Sequence, residues 1–229
     1  MVDECAELLH PAVEAFDLGC GAGYLSMALA DAVKSVTAID ISLKVLSYLS
    51  QECQKRNINN LICRVADWHY WEPAQPADIV FLCYCNGLLS QFKKVSELTK
   101  EYLVVILPYD SKNNFHLDEY YPLPEKKGNL ETVIMVMEFL EDKQIPFQLK
   151  YLVSEFGQPF SCKEEYEDFL NFYFQIPRHS IPAEYTQKYL QQREHGYYLA
   201  NRKVSGMIII KKDDLATAIT GSEQQKQAG

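Results

Sequence analysis

The chain has 229 residues, 48% of them apolar, and a formal net charge of −9. That length suits one large domain, or one domain with an added cap, and the acidic balance argues against an electrostatic grip on nucleic acid, which needs clustered Lys and Arg. No apolar run approaches the roughly 20 residues of a membrane helix, and the N-terminal MVDECAELLHP lacks the basic and apolar regions of a signal peptide.

Residues 1–11 read as a short N-terminal helix stopped at Pro11. The run 12–18 is an expected buried strand, and it ends at Gly19-Cys20-Gly21-Ala22-Gly23. Residues 25–30 are rich in helix formers, and 36–39 form a second apolar run closed by Asp40. Ser42 is a natural N-cap, and the segment after it places Leu43, Leu46, Leu49 and Cys53 on one helical face. A third strand over 61–66 ends at Asp67; 77–84 and 102–107 read as the fourth and fifth, the latter closed by Pro108. Strands alternating with helices predict a parallel sheet covered on both faces. Right-handed crossovers gather the strand C-terminal ends on one edge, and ligands of such sheets bind beyond those ends, where strand order reverses. Asp40, Asp67 and residues 83–86 should therefore face the same crevice as the glycine loop.

Beyond residue 108 the pattern changes. Residues 110–129 read as a long loop of the kind that usually has a function, and 131–143 as a helix. Residues 147–156 look like a strand, and Ser161-x-x-Glu164 has the capping-box form that opens a helix to about Phe174. Pro182 suits the first turn of another helix, which Gly196 can end. The last strand candidate is 207–210, and the polar tail 213–229 is expected to be flexible. The sequence contains no internal repeat.

Three glycines at alternate positions let a ligand approach bare main chain, and a loop that leads into a helix points free N–H groups outward. Asp40, seventeen residues beyond Gly23, can accept hydrogen bonds from two ribose hydroxyls. A dinucleotide fingerprint needs G-x-G-x-x-G, but its third glycine position holds Tyr24. The spacing G-x-G-x-G, preceded by Asp17, instead resembles motif I of the class I S-adenosylmethionine-dependent methyltransferases. The resemblance spans residues 12–212 as one domain, with 157–201 as a helical cap insert; its specific motif is residues 16–23. It implies a three-layer Rossmann-like α/β sandwich on a mostly parallel seven-stranded sheet, with an antiparallel last strand and the insert before it.

The resemblance also implies the cofactor contacts. The backbone of Gly19, Cys20, Gly21 and Gly23, with Tyr24 beside it, would meet the methionine portion and ribose. Asp17 would orient the amino group, Asp40 with Ile41 would hold the ribose side, and Asp67 and Trp68 would border adenine, with Cys83 at the end of the fourth strand. Two of the carboxylates also have plain alternatives: Asp40 could cap the Ser42 helix, and Asp67 could be a loop residue. Trp68 could be ordinary core.

Methyl transfer is an in-line displacement that depends mainly on alignment, so the lack of a catalytic triad is no objection. A base is needed only for a protonated acceptor. The acceptor should arrive beyond the fourth strand, where the chain reads Cys83-Tyr84-Cys85-Asn86-Gly87, without the N/D-P-P-Y/F motif of enzymes acting on base or glutamine amino groups. Asn86 and Tyr84 are candidates to orient the acceptor, and His116, in the long loop, is a candidate base. The other histidines (His69, His179, His195) could serve equally, or lie on the surface.

The aromatic-rich segment 157–201 could line an acceptor cap, pack helices on a sheet, or contact a second copy in a homodimer. Seven cysteines without a C-x-x-C pair predict reduced thiols, a cytoplasmic setting and no metal site. The leading expectation is a methyltransferase that uses S-adenosylmethionine on a small molecule, with no nucleic-acid or membrane partner. The alternatives are a scaffold that kept the fold without the chemistry, and an NAD(P)-dependent oxidoreductase.

Overall fold

A computed structural model describes residues 1–109, 115–122 and 130–215. Most of the 213–229 tail, and parts of the expected loop at 110–114 and 123–129, lie outside the described residues. In chain order the elements are β1 (Glu14–Leu18), α1 (Tyr24–Ala30), β2 (Ser35–Asp40), α2 (Leu43–Arg56), β3 (Leu61–Val65) and β4 (Ala77–Cys83). There follow α3 (Phe92–Leu98), β5 (Thr99–Pro108), α4 (Val133–Asp142), β6 (Gln148–Glu155), β7 (Gln158–Phe160) and α5 (Lys163–Phe174). The last are α6 (Ala183–Tyr189), β8 (Leu190–Arg193), β9 (Gly196–Leu199) and β10 (Arg202–Lys211). The chain divides into two compact units, Met1–Asp110 with Asn129–Leu152 and Ser205–Gly229, and Ser111–Gly128 with Val153–Val204.

The first unit is built on a seven-stranded sheet in the order β3-β2-β1-β4-β5-β10-β6. Strands β1 to β5 pair in parallel, and β10 runs antiparallel to β5. This is the sandwich expected from the sequence. The central strands are apolar throughout because both faces are covered, and their period of two sorts the side chains into two cores. Phe16, Leu18, Val80, Leu82, Leu103 and Val105 point to the face that carries α3 and α4. Ala15, Ile79, Phe81, Val104 and Ile106 point to the face that carries α1. The alternation slips at a bulge between Ala77 and Ile79, which turns Ala77 to the same side as Val80. On α2, Leu46, Leu49 and Cys53 are buried against Ala38 and Met27. Ser42 caps α2 as expected, its hydroxyl accepting from the Val45 N–H at 3.5 Å.

The second unit has a three-stranded antiparallel sheet, β7-β9-β8. Its core holds Phe115, Phe160, Tyr166, Leu170, Tyr185 and Leu199. The helix expected from Pro182 to Gly196 stops at Tyr189, and a hairpin follows. Gly196, at φ +118, opens β9 just after the two-residue turn, where a Cβ would meet the Phe160 carbonyl oxygen at 2.1 Å. The expected capping box does not close: α5 starts after Cys162 with no side-chain cap bond, and the Ser161 N–H donates to Glu165 at 2.7 Å instead of Glu164. The first helix is a short 3-10 helix over Val2–Leu8. Among the described residues no helix is long and apolar enough to cross a membrane.

Candidate functional site

In the first unit the chain leaves β1 at the point where strand order reverses, between β1 and its two neighbours β2 and β4. Gly19, Gly21 and Gly23 all have positive φ, at 69°, 53° and 75°. The N–H groups of Gly19 and Cys20 both donate to the Ile39 carbonyl, at 2.8 and 3.0 Å, tying the loop to β2. A Cβ on Gly19 would meet Cys85 Sγ at 2.4 Å, and one on Gly23 would meet the Leu49 methyls at 2.3 and 2.5 Å. A Cβ on Gly21 would meet nothing within 4 Å. The outer glycines thus serve the fold, whereas the middle one opens onto free space.

Three carboxylates sit at the C-terminal ends of three adjacent strands. Asp17 is buried, and its Oδ2 accepts from the Ser26 hydroxyl at 2.5 Å. Its Oδ1 is buried with no hydrogen-bond partner. Burial pushes the Asp17 pKa up to about 6, against the opposing pull of the Ser26 bonds. Asp40 accepts from the Gly21 N–H through Oδ2 at 2.9 Å and from the Ser42 N–H through Oδ1 at 2.8 Å. It therefore joins the glycine loop to the start of α2, as well as lying where a ribose carboxylate is expected. Asp67 accepts from both the backbone N–H and the ring Nδ1 of His69, at 3.0 and 2.6 Å, and these bonds hold its pKa below the usual range. The His69 ring stacks on Trp68 with centroids 4.1 Å apart. Trp68 is buried in the core, so packing is its visible role.

The segment after β4 is held at two places. Tyr84 has φ +51, unusual for a bulky residue, and its hydroxyl is 2.5 Å from that of Ser205. Further on, the buried Glu131 carboxylate accepts from three consecutive N–H groups, Gly87, Leu88 and Leu89, at 3.0 to 3.1 Å. The Glu131 N–H in turn donates to Asn86 Oδ1 at 3.1 Å. Cys85 lies between these anchors, its thiol pushed up to about 11 chiefly by burial.

These positions test whether the expected cofactor fits. A buried, unpartnered carboxylate oxygen on Asp17 suits an ammonium donor, and Gly21 leaves room for a ligand against the main chain. Gly19, Cys20, Gly21, Gly23, Asp17, Asp40, Asp67, Trp68, Cys83, Tyr84 and Asn86 all belong to the loops and strand ends of the first unit's sheet. Tyr24 and Ile41 flank the loop with 69% and 72% of their surface exposed, so large apolar side chains stand uncovered beside it. His116 belongs to the second unit, where its ring stacks on Tyr189 at 4.7 Å and lies 3.7 Å from Glu119. Two residues of the site were not singled out from sequence. Ser26 looks like any polar residue of a short helix, and Glu131 like a residue at a helix start. Among the described residues no group of three or more His, Cys, Asp or Glu could hold a metal ion.

Residues 15–106 match the family described as a methyltransferase domain. No curated protein matches the chain. Among solved structures, a Bacillus halodurans protein with a provisional methyltransferase name is similar over 92% of this chain and 99% of its own, at 17% identity and a TM-score of 0.57. The YcgJ protein from Bacillus subtilis is similar over 90% and 94%, at 13% identity and a TM-score of 0.53. A precorrin-6y C5,15-methyltransferase from Geobacter metallireducens is similar over 92% and 86%, at 14% identity and a TM-score of 0.53. At those identities the structures bear on fold alone, and they carry the same architecture as the sheet described above. The glycine loop and the match over residues 15–106 thus agree on a methyltransferase domain, set in a fold shared with those structures.

Proposed function

We propose that the chain methylates a small-molecule acceptor in the crevice beyond β1, β2 and β4. One observation carries the reading: the open face of Gly21 lies in the same strand-end loop system as the unpartnered Asp17 Oδ1. When bound, S-adenosylmethionine supplies a methyl already activated by a positive sulfur. The residues of the chain then have modest tasks. The loop 19–23 gives main-chain contact, Asp17 takes the amino group, Asp40 with Ile41 the ribose side, and Asp67 with Trp68 the adenine side. Tyr84 and Asn86 face the acceptor, which must lie opposite the sulfur for in-line attack. The acidic balance of the chain favours a small acceptor over a polyanion.

Calorimetric titration with S-adenosylhomocysteine and with NAD tests the first half of this reading. Saturable binding of the former and none of the latter is expected. Turnover of labelled S-adenosylmethionine against a panel of small metabolites and a panel of RNA and DNA oligonucleotides tests the second. Methylation confined to nucleic acid would overturn it.

A further inference from the structure

An asparagine amide can both donate and accept, so an exposed one ordinarily selects little. Asn86 is exposed, yet its two ends are not equivalent. Its Oδ1 is taken by the Glu131 N–H at 3.1 Å. The Glu131 carboxylate holds the next three residues by their N–H groups, at 3.0 to 3.1 Å. Asn86 and Glu131 therefore close a reciprocal clasp in which each fixes the other's segment. Turning the Asn86 amide over would set its NH₂ against the Glu131 N–H, donor against donor, and would break the clasp. The Nδ2 group makes no hydrogen bond among the described residues. What the free end of Asn86 offers a ligand is thus a pair of N–H donors, while Oδ1 already has one of its two lone pairs engaged.

We propose that Asn86 is a specificity-determining residue whose fixed Nδ2 end favours molecules presenting a lone pair there, and that Glu131 is the residue that positions it. The substrate class is a small molecule whose methyl-accepting atom has a lone-pair oxygen or nitrogen nearby: a carbonyl, carboxylate, phenolate or pyridine-type nitrogen. A group that can only donate, such as an ammonium, gains nothing from the Nδ2 end. Only the link to the methyl acceptor rests on the function proposed above; the polarity of Asn86 does not.

The test uses two probes of similar shape, benzoate, which only accepts, and benzylammonium, which only donates. Each is titrated into ¹⁵N-labelled protein, with and without S-adenosylhomocysteine, while the Asn86 side-chain NH₂ signals are followed. Benzoate should shift those signals saturably, and benzylammonium should not. In Asn86→Asp, followed at the Gly87, Leu88 and Leu89 backbone amides because the side-chain NH₂ is gone, the carboxylate keeps one oxygen for the Glu131 N–H and replaces the donor, so the preference should invert, with benzoate about tenfold weaker or more. In Glu131→Gln the bound S-adenosylhomocysteine should be held as before, while benzoate weakens and the Gly87, Leu88 and Leu89 amides exchange faster. The proposal is overturned if benzylammonium rather than benzoate moves the Asn86 signals, if neither does, or if Asn86→Asp leaves the preference as it was. Failure of S-adenosylhomocysteine to bind would sink the cofactor reading alone, because the probe titrations are also run without it.

Discussion

Gly21 and Gly23 both have positive φ, but the structure assigns them different costs on substitution. An alanine at either position is strained by about 1–2 kcal/mol. At Gly21 the added methyl meets no atom within 4 Å, and strain is the whole cost to the fold. In a protein of this size that lowers Tm by about 2–8 °C. At Gly23 the methyl would lie 2.3 to 2.8 Å from three carbons of the fully buried Leu49. Overpacking adds about 1–3 kcal/mol, and Gly23→Ala should melt well below Gly21→Ala. For the ligand the order reverses. A methyl on Gly21 stands where S-adenosylhomocysteine should touch the main chain, and overpacking of that same size weakens binding about 5- to 150-fold. Thermal melts and calorimetric titration on both variants read the two effects separately. If Gly21→Ala binds S-adenosylhomocysteine as tightly as the unaltered protein, the ligand does not lie against this loop.

Other outcomes follow from single residues. The Asp17 pKa is raised by folding to about 6 from an ordinary 3.8, so its contribution to the stability of the ligand-free protein is greatest below pH 4 and is lost as pH rises through 6. Binding of an ammonium needs the ionised form, so S-adenosylhomocysteine affinity should rise between pH 5 and pH 7, and Asp17→Asn should flatten that dependence in calorimetry. Asp40→Ala removes the acceptor of the Gly21 N–H as well as the ribose partner, and about a 10- to 100-fold loss of affinity is expected; unchanged affinity would refute the ribose assignment. In the second unit, Tyr185→Phe strips the buried hydroxyl that donates to the Phe115 carbonyl at 2.9 Å. That should cost about 1–3 kcal/mol and speed proteolysis within 115–122, read by limited digestion.

What could be read from the sequence depended on the range of the interaction. The parallel sheet of the first unit followed from the alternation of apolar runs with helix formers, because period and crossover handedness are properties of neighbours in the chain. Gly19 and Asp40 stood out because each lies at a strand end, and strand ends share an edge. Glu131 did not, since its partners at Gly87, Leu88 and Leu89 are more than forty positions away, and nothing local distinguishes a carboxylate that caps a distant loop from one that faces water. The pairing of Asp17 with Ser26, only nine positions apart, was hidden because nothing local marks which hydroxyl of a short helix turns inward. Gly196 misled in a different way: a glycine after a helical stretch is both a common helix stop and a common hairpin turn, and only the close approach of the Phe160 carbonyl separates the two. The aromatics of 157–201 fall on both sides of the question raised about them. Tyr166 and Tyr185 are fully buried core, whereas Phe172 is exposed.

The stretch from Tyr84 to Leu89 is anchored at one end by Ser205 and at the other by Glu131. Its conformational freedom is surrendered when the chain folds, long before any acceptor arrives. Association with such a preshaped rim loses little further entropy, so a partner making few contacts can still be held in register. Tolerance for differently shaped partners shrinks to the same degree, and an enzyme altered to accept bulkier molecules would first have to loosen one of the two anchors.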